Sequence, residues 1–210
     1  NRLCYPFTRT ICVNFEETAQ YLPTGKVVVT GSPLRQGLRE GDATRGRRFL
    51  KVGAADPLLL VFGGSLGATT INRCIRSVLG ALCERFVVIH MTGKGNIEPT
   101  LASNRYLQFE YLGAGFGDVL AAADVVVSRA GANAVYELLA LRKLHILVPL
   151  PLSASRGDQI DNARVFAARG MSRVIAQENL TGETLVRALD EAVAERAAIE
   201  ARLADFTVPD

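Results

Sequence analysis

Leu58-Leu59-Leu60-Val61-Phe62-Gly63-Gly64-Ser65-Leu66-Gly67-Ala68 carries five apolar residues into a turn with three glycines, and a helical pattern opens at Ala68. An unbroken apolar run of that length suits a strand covered on both faces. Glycine lets the backbone bend sharply and come close to a ligand, while the free N–H groups and dipole of a helix starting there favour a phosphate. Ser65 adds a hydroxyl to such a cradle. A tight strand-to-helix turn with no ligand is the alternative, and a single glycine loop does not decide between the two.

Two motifs compete for this turn. As G-x-G-x-x-G it fails, because Ser65 holds the third position and the apolar run 86–91 ends in Thr92-Gly93-Lys94, with no acidic residue for an NAD ribose. As G-x-S-x-G it matches the nucleophile elbow of α/β-hydrolases. A serine hydrolase with Ser65 as nucleophile then needs an Asp followed by a His, a role open to Asp118 or Asp124 with His145. His145 opens an apolar run instead of lying on a loop past a strand's carboxyl end, where open α/β sheets keep their sites, so a hydrolase is disfavoured. His90, inside another apolar run, has the setting of a core histidine with a satisfied ring.

Outward from the turn, short apolar runs alternate with helix-period segments, the mark of βαβ units around a parallel sheet. Strands are predicted at 58–62, 86–91, 106–112, 124–128, 145–149 and 172–176. Helices are predicted at 68–83, briefly after Asn96, and at 116–122, 133–141, 158–169 and 181–205. Gly170 stands where a helix C′ glycine belongs, and Thr181 is an N-cap ahead of Leu185, Leu189 and Val193. The expected fold class is α/β, a Rossmann-like doubly wound parallel sheet. Residues 1–30 differ, with extended runs at 10–15 and 26–30 around a polar segment, as if they were the end of another domain and an interdomain connection. Gly31-Ser32-Pro33-Leu34-Arg35 has the punctuation of a turn or hinge, and 31–210 form the main domain.

A chain of 210 residues, 49% apolar and 21% charged, has room for one generous α/β domain with a piece of a neighbour. Its net charge of +3 is interleaved along the chain, which does not argue for nucleic acid. The richest basic stretch, Arg35, Arg39, Arg45, Arg47, Arg48 and Lys51, is either a solvated linker or helix face or a patch facing anionic lipid or phosphate. Cys4, Cys12, Cys74 and Cys83 form no C-x-x-C pair and have no histidine at ligand spacing, so neither a metal site nor a disulfide framework is expected, and a reducing cytoplasm fits. Apolar runs such as 58–62 and 146–152 fall far short of the ~20 residues a membrane span needs. The opening Asn1-Arg2-Leu3 leads into no apolar h-region, so no signal peptide is expected.

A second strand feeds a turn of small residues in Val125-Val126-Val127-Ser128-Arg129-Ala130-Gly131-Ala132-Asn133-Ala134-Val135-Tyr136-Glu137, aiming another helix start at the same sheet edge. Glu137 lies in the first turns of that helix, where its carboxylate either holds the two hydroxyls of a ribose or complements the helix dipole. A third loop, from Pro149 to Ala163, offers Asp158, Gln159 and Asn162, side chains suited to sugar hydroxyls. Alone it would be an N-cap region. Parallel topology gathers all three loops at one edge.

The runs Thr30-Gly31-Ser32-Pro33-Leu34-Arg35, Gly63-Gly64-Ser65-Leu66-Gly67-Ala68, Ser128-Arg129-Ala130-Gly131-Ala132-Asn133 with Glu137, and Asp158-Gln159 with Asn162-Ala163 resemble, in that order, the C-terminal domain of the MurG family. The resemblance spans nearly the whole chain. It implies the C-terminal half of a GT-B glycosyltransferase, in which two Rossmann-like domains face each other across a cleft. It further implies transfer of N-acetylglucosamine, with inversion, from UDP-N-acetylglucosamine to lipid I to form lipid II, without a cofactor or an obligatory metal. Carried over by position, Arg35 and the backbone near Leu112 face uracil, and Ser65 faces the diphosphate. Ala132, Asn133, Ala134 and Val135 meet the phosphates and ribose, Glu137 takes the ribose hydroxyls, and Gln159 with Asp158 takes the sugar hydroxyls. Asn1 aligns with an asparagine that approaches the sugar from the end of the family's N-terminal domain. Ser32 departs from the family's asparagine before proline. The family's glycine-rich N-terminal motif and its catalytic histidine have no counterpart here, so the catalytic residue is unknown and the base is expected in the N-terminal domain. The lipid-linked acceptor and the inner face of the plasma membrane are implied as partners of the full-length protein only, the chain itself binding donor without turning it over. A non-catalytic UDP-sugar-binding subunit of a two-chain glycosyltransferase is the alternative.

Overall fold

The structure, a computed structural model, describes residues 2–23, 25–64 and 68–207. Strands β1 (Ile11–Val13) and β2 (Val27–Val29) pair parallel in a small sheet of their own, with the short helix α1 (Glu16–Ala19) between them. The main sheet is built from β3 (Leu58–Phe62), β4 (Val87–Met91), β5 (Tyr106–Phe109), β6 (Val125–Ser128), β7 (His145–Leu147) and β8 (Arg173–Val174), all parallel. Their order across the sheet is β5-β4-β3-β6-β7-β8. Counted from β3 this is the doubly wound order, and the winding reverses between β3 and β6. Every residue of β3 and β4 is buried, which demands cover on both faces and explains why their sequences do not alternate. The predicted strands are all present; β4 and β6 begin one residue late, β8 is shortened at both ends, and β5 and β7 stop short at the carboxyl end. There the chain peels away from the sheet into the connecting loops.

Helices α5 (Phe116–Ala122), α6 (Ala132–Ala140) and α7 (Asp158–Ala168) fall within a residue of expectation. Two predicted helices are each broken. Residues 68–83 divide into α3 (Thr69–Ser77) and α4 (Leu79–Arg85) at Val78, whose φ of −123° leaves the helical region. Ser77 Oγ donates back to the Cys74 carbonyl at 2.8 Å, a bond that bends helices, and Val78 packs under Gly182. Residues 181–205 divide into α8 (Gly182–Ala194) and α9 (Arg196–Ala204) at Glu195. Thr181 does cap α8, accepting from Thr184 N at 3.1 Å while Thr184 Oγ1 accepts from Thr181 N at 2.9 Å.

The basic stretch forms a helix that was not predicted as such, α2 (Ala43–Leu50), capped by Asp42, which accepts from Arg45 N at 2.7 Å. It lies hard against α5. A Cβ on Gly46 would sit 2.2 Å from the Asp118 carbonyl oxygen, so glycine permits the approach. Arg45 binds the Asp118 carboxylate and Arg47 binds the Gly53 and Asp56 carbonyls, so these cations are engaged within the fold. Phe15 ties the small sheet down, packing edge-on against Phe166 with ring centroids 4.9 Å apart and beside Tyr136. Among the described residues no helix is long and apolar enough to cross a membrane.

Both histidines are core residues. His90 bonds Tyr106 Oη and Asn72 Oδ1 at 2.8 and 2.9 Å, and burial pushes its pKa down to about 3. His145 bonds Ser172 Oγ and the Lys143 carbonyl, each at 2.6 Å, and burial lowers its pKa to about 4. It opens β7 at the amino edge of the sheet, opposite the edge where β3 runs into its glycine turn. The serine-hydrolase alternative is thereby corrected: its only histidine is sealed into the far edge.

Candidate functional site

Strands β3 and β6 end in register, Phe62 opposite Ser128, so the turns that follow leave the carboxyl edge side by side. The winding reverses there, which opens a crevice in sheets of this kind. A cavity of about 410 Å³ occupies it. Gly63 and Gly64 line it from the β3 turn, Arg129, Gly131, Asn133, Ala134 and Glu137 from the β6 turn and α6, Pro33 and Arg35 from the hinge, and Tyr111, Phe116 and Gln159 from neighbouring loops and helices. Another cavity, of about 440 Å³, opens between the hinge and Tyr136 but includes neither sheet-edge turn.

The β3 turn needs its glycines. A Cβ on Gly63 would lie 2.2 Å from Ala68 Cβ, and Gly64 has a φ of +99°, which side chains rarely tolerate. Ser65 lies outside the described residues, as does Asn1, so the roles expected of those two are not located. Across the crevice α6 starts at Gly131, which has no side chain to cap the first-turn N–H groups. Ser32 Oγ donates to Asn133 Oδ1 at 2.8 Å, fastening the hinge to the start of α6. Serine in place of the family's asparagine therefore keeps a polar tie at that point.

Glu137 and Arg35, singled out separately, are bonded to each other. Arg35 Nε and Nη2 donate to the two carboxylate oxygens at 2.7 and 2.5 Å, in the forked geometry that makes such pairs strong. The guanidinium also lies 4.2 Å over the Phe116 ring. Glu137 is 3% exposed and stands in the second turn of α6, so its partner is this arginine and not the helix start. Ionised, it keeps further lone pairs for two hydroxyl donors.

Arg129, in the turn after β6, is a site residue whose sequence motif indicates no role for it. It is 9% exposed, and burial lowers its pKa. Nη1 donates to the Val148 carbonyl at 3.1 Å and the Pro149 carbonyl at 3.4 Å, and Nη2 to Gln177 Oε1 at 2.6 Å. The available signal was a cation set in a turn of small residues just ahead of a helix start, where burying it is costly. On the third loop Gln159 lines the cavity, its Oε1 accepting from Leu150 N at 3.2 Å and its amide donors meeting no acceptor among the described residues, while Asn162 Nδ2 donates to the Ala130 carbonyl at 3.1 Å. Asp158 stands exposed at the first position of α7, outside the cavity wall. Leu112 is buried in the core and its neighbour Tyr111 lines the cavity instead; Val135 is wholly buried, which leaves only its backbone to serve a ligand.

The family model described as glycosyltransferase family 28 C-terminal domain matches residues 58–207. A UDP-N-acetylglucosamine–N-acetylmuramyl-(pentapeptide) pyrophosphoryl-undecaprenol N-acetylglucosamine transferase of Lachnoclostridium phytofermentans is 49% identical over 191 residues, which is 90% of this chain and 54% of that protein. A transferase of the same name from Geobacillus kaustophilus is 47% identical over 190 residues, 90% of this chain and 53% of its own length. The chain thus spans about half the length of these curated relatives. The crystal structure of Acinetobacter baumannii MurG superposes with a TM-score of 0.73 at 22% identity, covering all of this chain and 60% of that one, which shows the GT-B half-fold. On the family model alone, matched across both sheet-edge turns, the chain belongs to the glycosyltransferase family 28 C-terminal domain family.

Proposed function

We propose that this chain is the donor-binding part of an inverting glycosyltransferase that moves N-acetylglucosamine from UDP-N-acetylglucosamine to lipid I, giving lipid II. One observation carries this most: a glycine turn, an uncapped helix start, a buried cation and a buried carboxylate wall a single crevice at the switch point. A nucleoside diphosphate needs that combination, amides and a cation for its phosphates and a carboxylate for its ribose diol. The names of the relatives supply the sugar and the acceptor.

In this scheme uracil lies against Arg35 and Tyr111 near the backbone of Leu112. Glu137 accepts from the ribose hydroxyls while remaining paired to Arg35. The diphosphate rests on the glycine turn with Ser65, on the backbone of Ala132, Asn133, Ala134 and Val135, and beside Arg129. Gln159, with Asp158 at the rim, reads the sugar, and Asn1 approaches it from the other side of the cleft. The acceptor hydroxyl attacks the anomeric carbon as the bond to UDP breaks, and the same amides and cation stabilise the departing charge. The base comes from the preceding half of the intact protein, which also holds the lipid-linked acceptor at the inner face of the plasma membrane. Residues 1–30 belong to the end of that half, consistent with the exposure of Leu3, Phe7, Tyr21 and Val28 around the small sheet.

Calorimetric titration of the intact protein with UDP, UDP-N-acetylglucosamine and UDP-N-acetylgalactosamine tests the proposal. UDP binding is expected, with Glu137→Ala weakening it by about 1 to 3 kcal/mol through loss of charge-assisted hydrogen bonds. Refusal of UDP by the unaltered protein, or an unchanged affinity in the variant, would overturn respectively the function and the ribose role.

A further inference from the structure

Arg129 combines two properties that rarely occur together: it is nine-tenths buried, and among the described residues no carboxylate pairs with it. Taking a guanidinium out of water is expensive, and proteins ordinarily offset that expense with an opposite charge. Here the partners are neutral, two carbonyls from the strand end at Val148 and Pro149 and the amide oxygen of Gln177. They take three of the five N–H donors. Among the described residues nothing accepts the other two, and Arg129 lines the crevice between the glycine turn and the start of α6.

Gln177 makes the shortest of these bonds, at 2.6 Å, and comes from the single turn after β8, far in sequence from every motif at the sheet edge. Its chemistry matters as much as its position. A glutamate has the same length and would hold the guanidinium more strongly, but it would neutralise it. An amide oxygen orients the fork and leaves the charge for an incoming anion.

Resting on the nucleotide-sugar function proposed above, we infer that Gln177 is a positioning residue for the diphosphate: it aims Arg129 into the crevice while keeping its charge uncompensated. The same fork grips the strand end that leads into the sugar loop, so one side chain couples phosphate and sugar subsites. Glutamine to glutamate is then the informative substitution, because it preserves shape and hydrogen bonding and alters only charge.

The test is a phosphate ladder, the affinities of uridine, UMP and UDP for the intact protein and for Gln177→Glu, Gln177→Met and Arg129→Gln, with melting temperatures alongside. Gln177→Glu is expected to weaken UDP by about 10- to 100-fold, the scale of a charge-assisted contact, while uridine affinity stays within about twofold. Its melting temperature should hold or rise, since the new ion pair stabilises the buried cation. Gln177→Met should weaken UDP less, and Arg129→Gln should reproduce the glutamate pattern. UDP binding of unaltered strength in Gln177→Glu, or a parallel loss of uridine and UDP, would overturn the role of Gln177. Failure of the unaltered protein to bind UDP at all would instead remove the nucleotide-sugar function on which it rests.

Discussion

Glu137 and Arg35 share a forked bond but not an environment: their side chains are 4% and 46% exposed. The two ends of the pair should therefore respond differently to removal. Arg35→Met strands a buried carboxylate, and a loss of about 1 to 3 kcal/mol is expected, less than for a fully buried pair because water reaches the arginine side. Glu137→Gln leaves the arginine to solvent and to the Phe116 ring, for under about 1 kcal/mol. Urea denaturation of both variants and of the double variant measures this directly. The double variant should recover most of the Arg35→Met loss, whereas equal and additive losses would show that the fork contributes nothing specific. Each residue was visible in the sequence through its motif, but not their bond, because they lie 102 positions apart and meet only once the hinge folds over α6. Arg129 was hidden for a similar reason. Its partners lie just beyond two other strands, after β7 and in the turn following β8.

At the level of elements, legibility followed burial. Strands β3, β4 and β6 are buried throughout and announced themselves as apolar runs, broken only by His90 within β4 and Ser128 at the end of β6. Helix α2 stayed hidden because four of its eight residues, Thr44, Arg45, Arg47 and Arg48, are polar and a fifth is Gly46, so its packing depends on close backbone approach to α5 and not on an apolar stripe. The breaks at Val78 and Glu195 were illegible too, since helical periodicity continues across both. Strands β4 and β7 each carry a buried histidine, and these give the fold a pH limit. Burial holds His90 near 3 and His145 near 4, against 6.5 for an exposed ring, so below about pH 6.5 the unfolded chain binds protons that the folded chain refuses. Stability from this source is complete above about 6.5 and declines as the pH falls toward the folded values. Urea midpoints between pH 7.5 and 5, above the range where most carboxylates titrate, should fall with acid. The fall should flatten in a His90→Gln, His145→Gln double variant whatever its starting stability; an unchanged slope would place the titrating groups elsewhere.

Across the whole molecule two sheets of unequal independence meet. The main sheet has six strands and an apolar core, enough to stand by itself. The small one has two strands of three residues each, and a two-stranded sheet is marginal in water. Among the described residues its ties to the main domain are few, chiefly Phe15 wedged between Tyr136 and Phe166 and the Arg169 to Glu17 ion pair. Around it Leu3, Phe7 and Tyr21 are 89%, 89% and 76% exposed, far more apolar surface than a finished edge leaves open. If residues 1–30 close the preceding half of a longer protein, hydrogen exchange should separate the two sheets in the isolated chain. Amides of β3 and β6 should exchange only with global unfolding, whereas those of β1 and β2 should open locally at a small fraction of that free energy. In the intact protein the β1 and β2 amides should slow greatly while those of β3 do not change. Equal protection of both sheets in the isolated chain would mean that Phe15 and the Arg169 to Glu17 pair suffice to secure the small sheet, and its exposed apolar residues would then need another explanation than a covering domain.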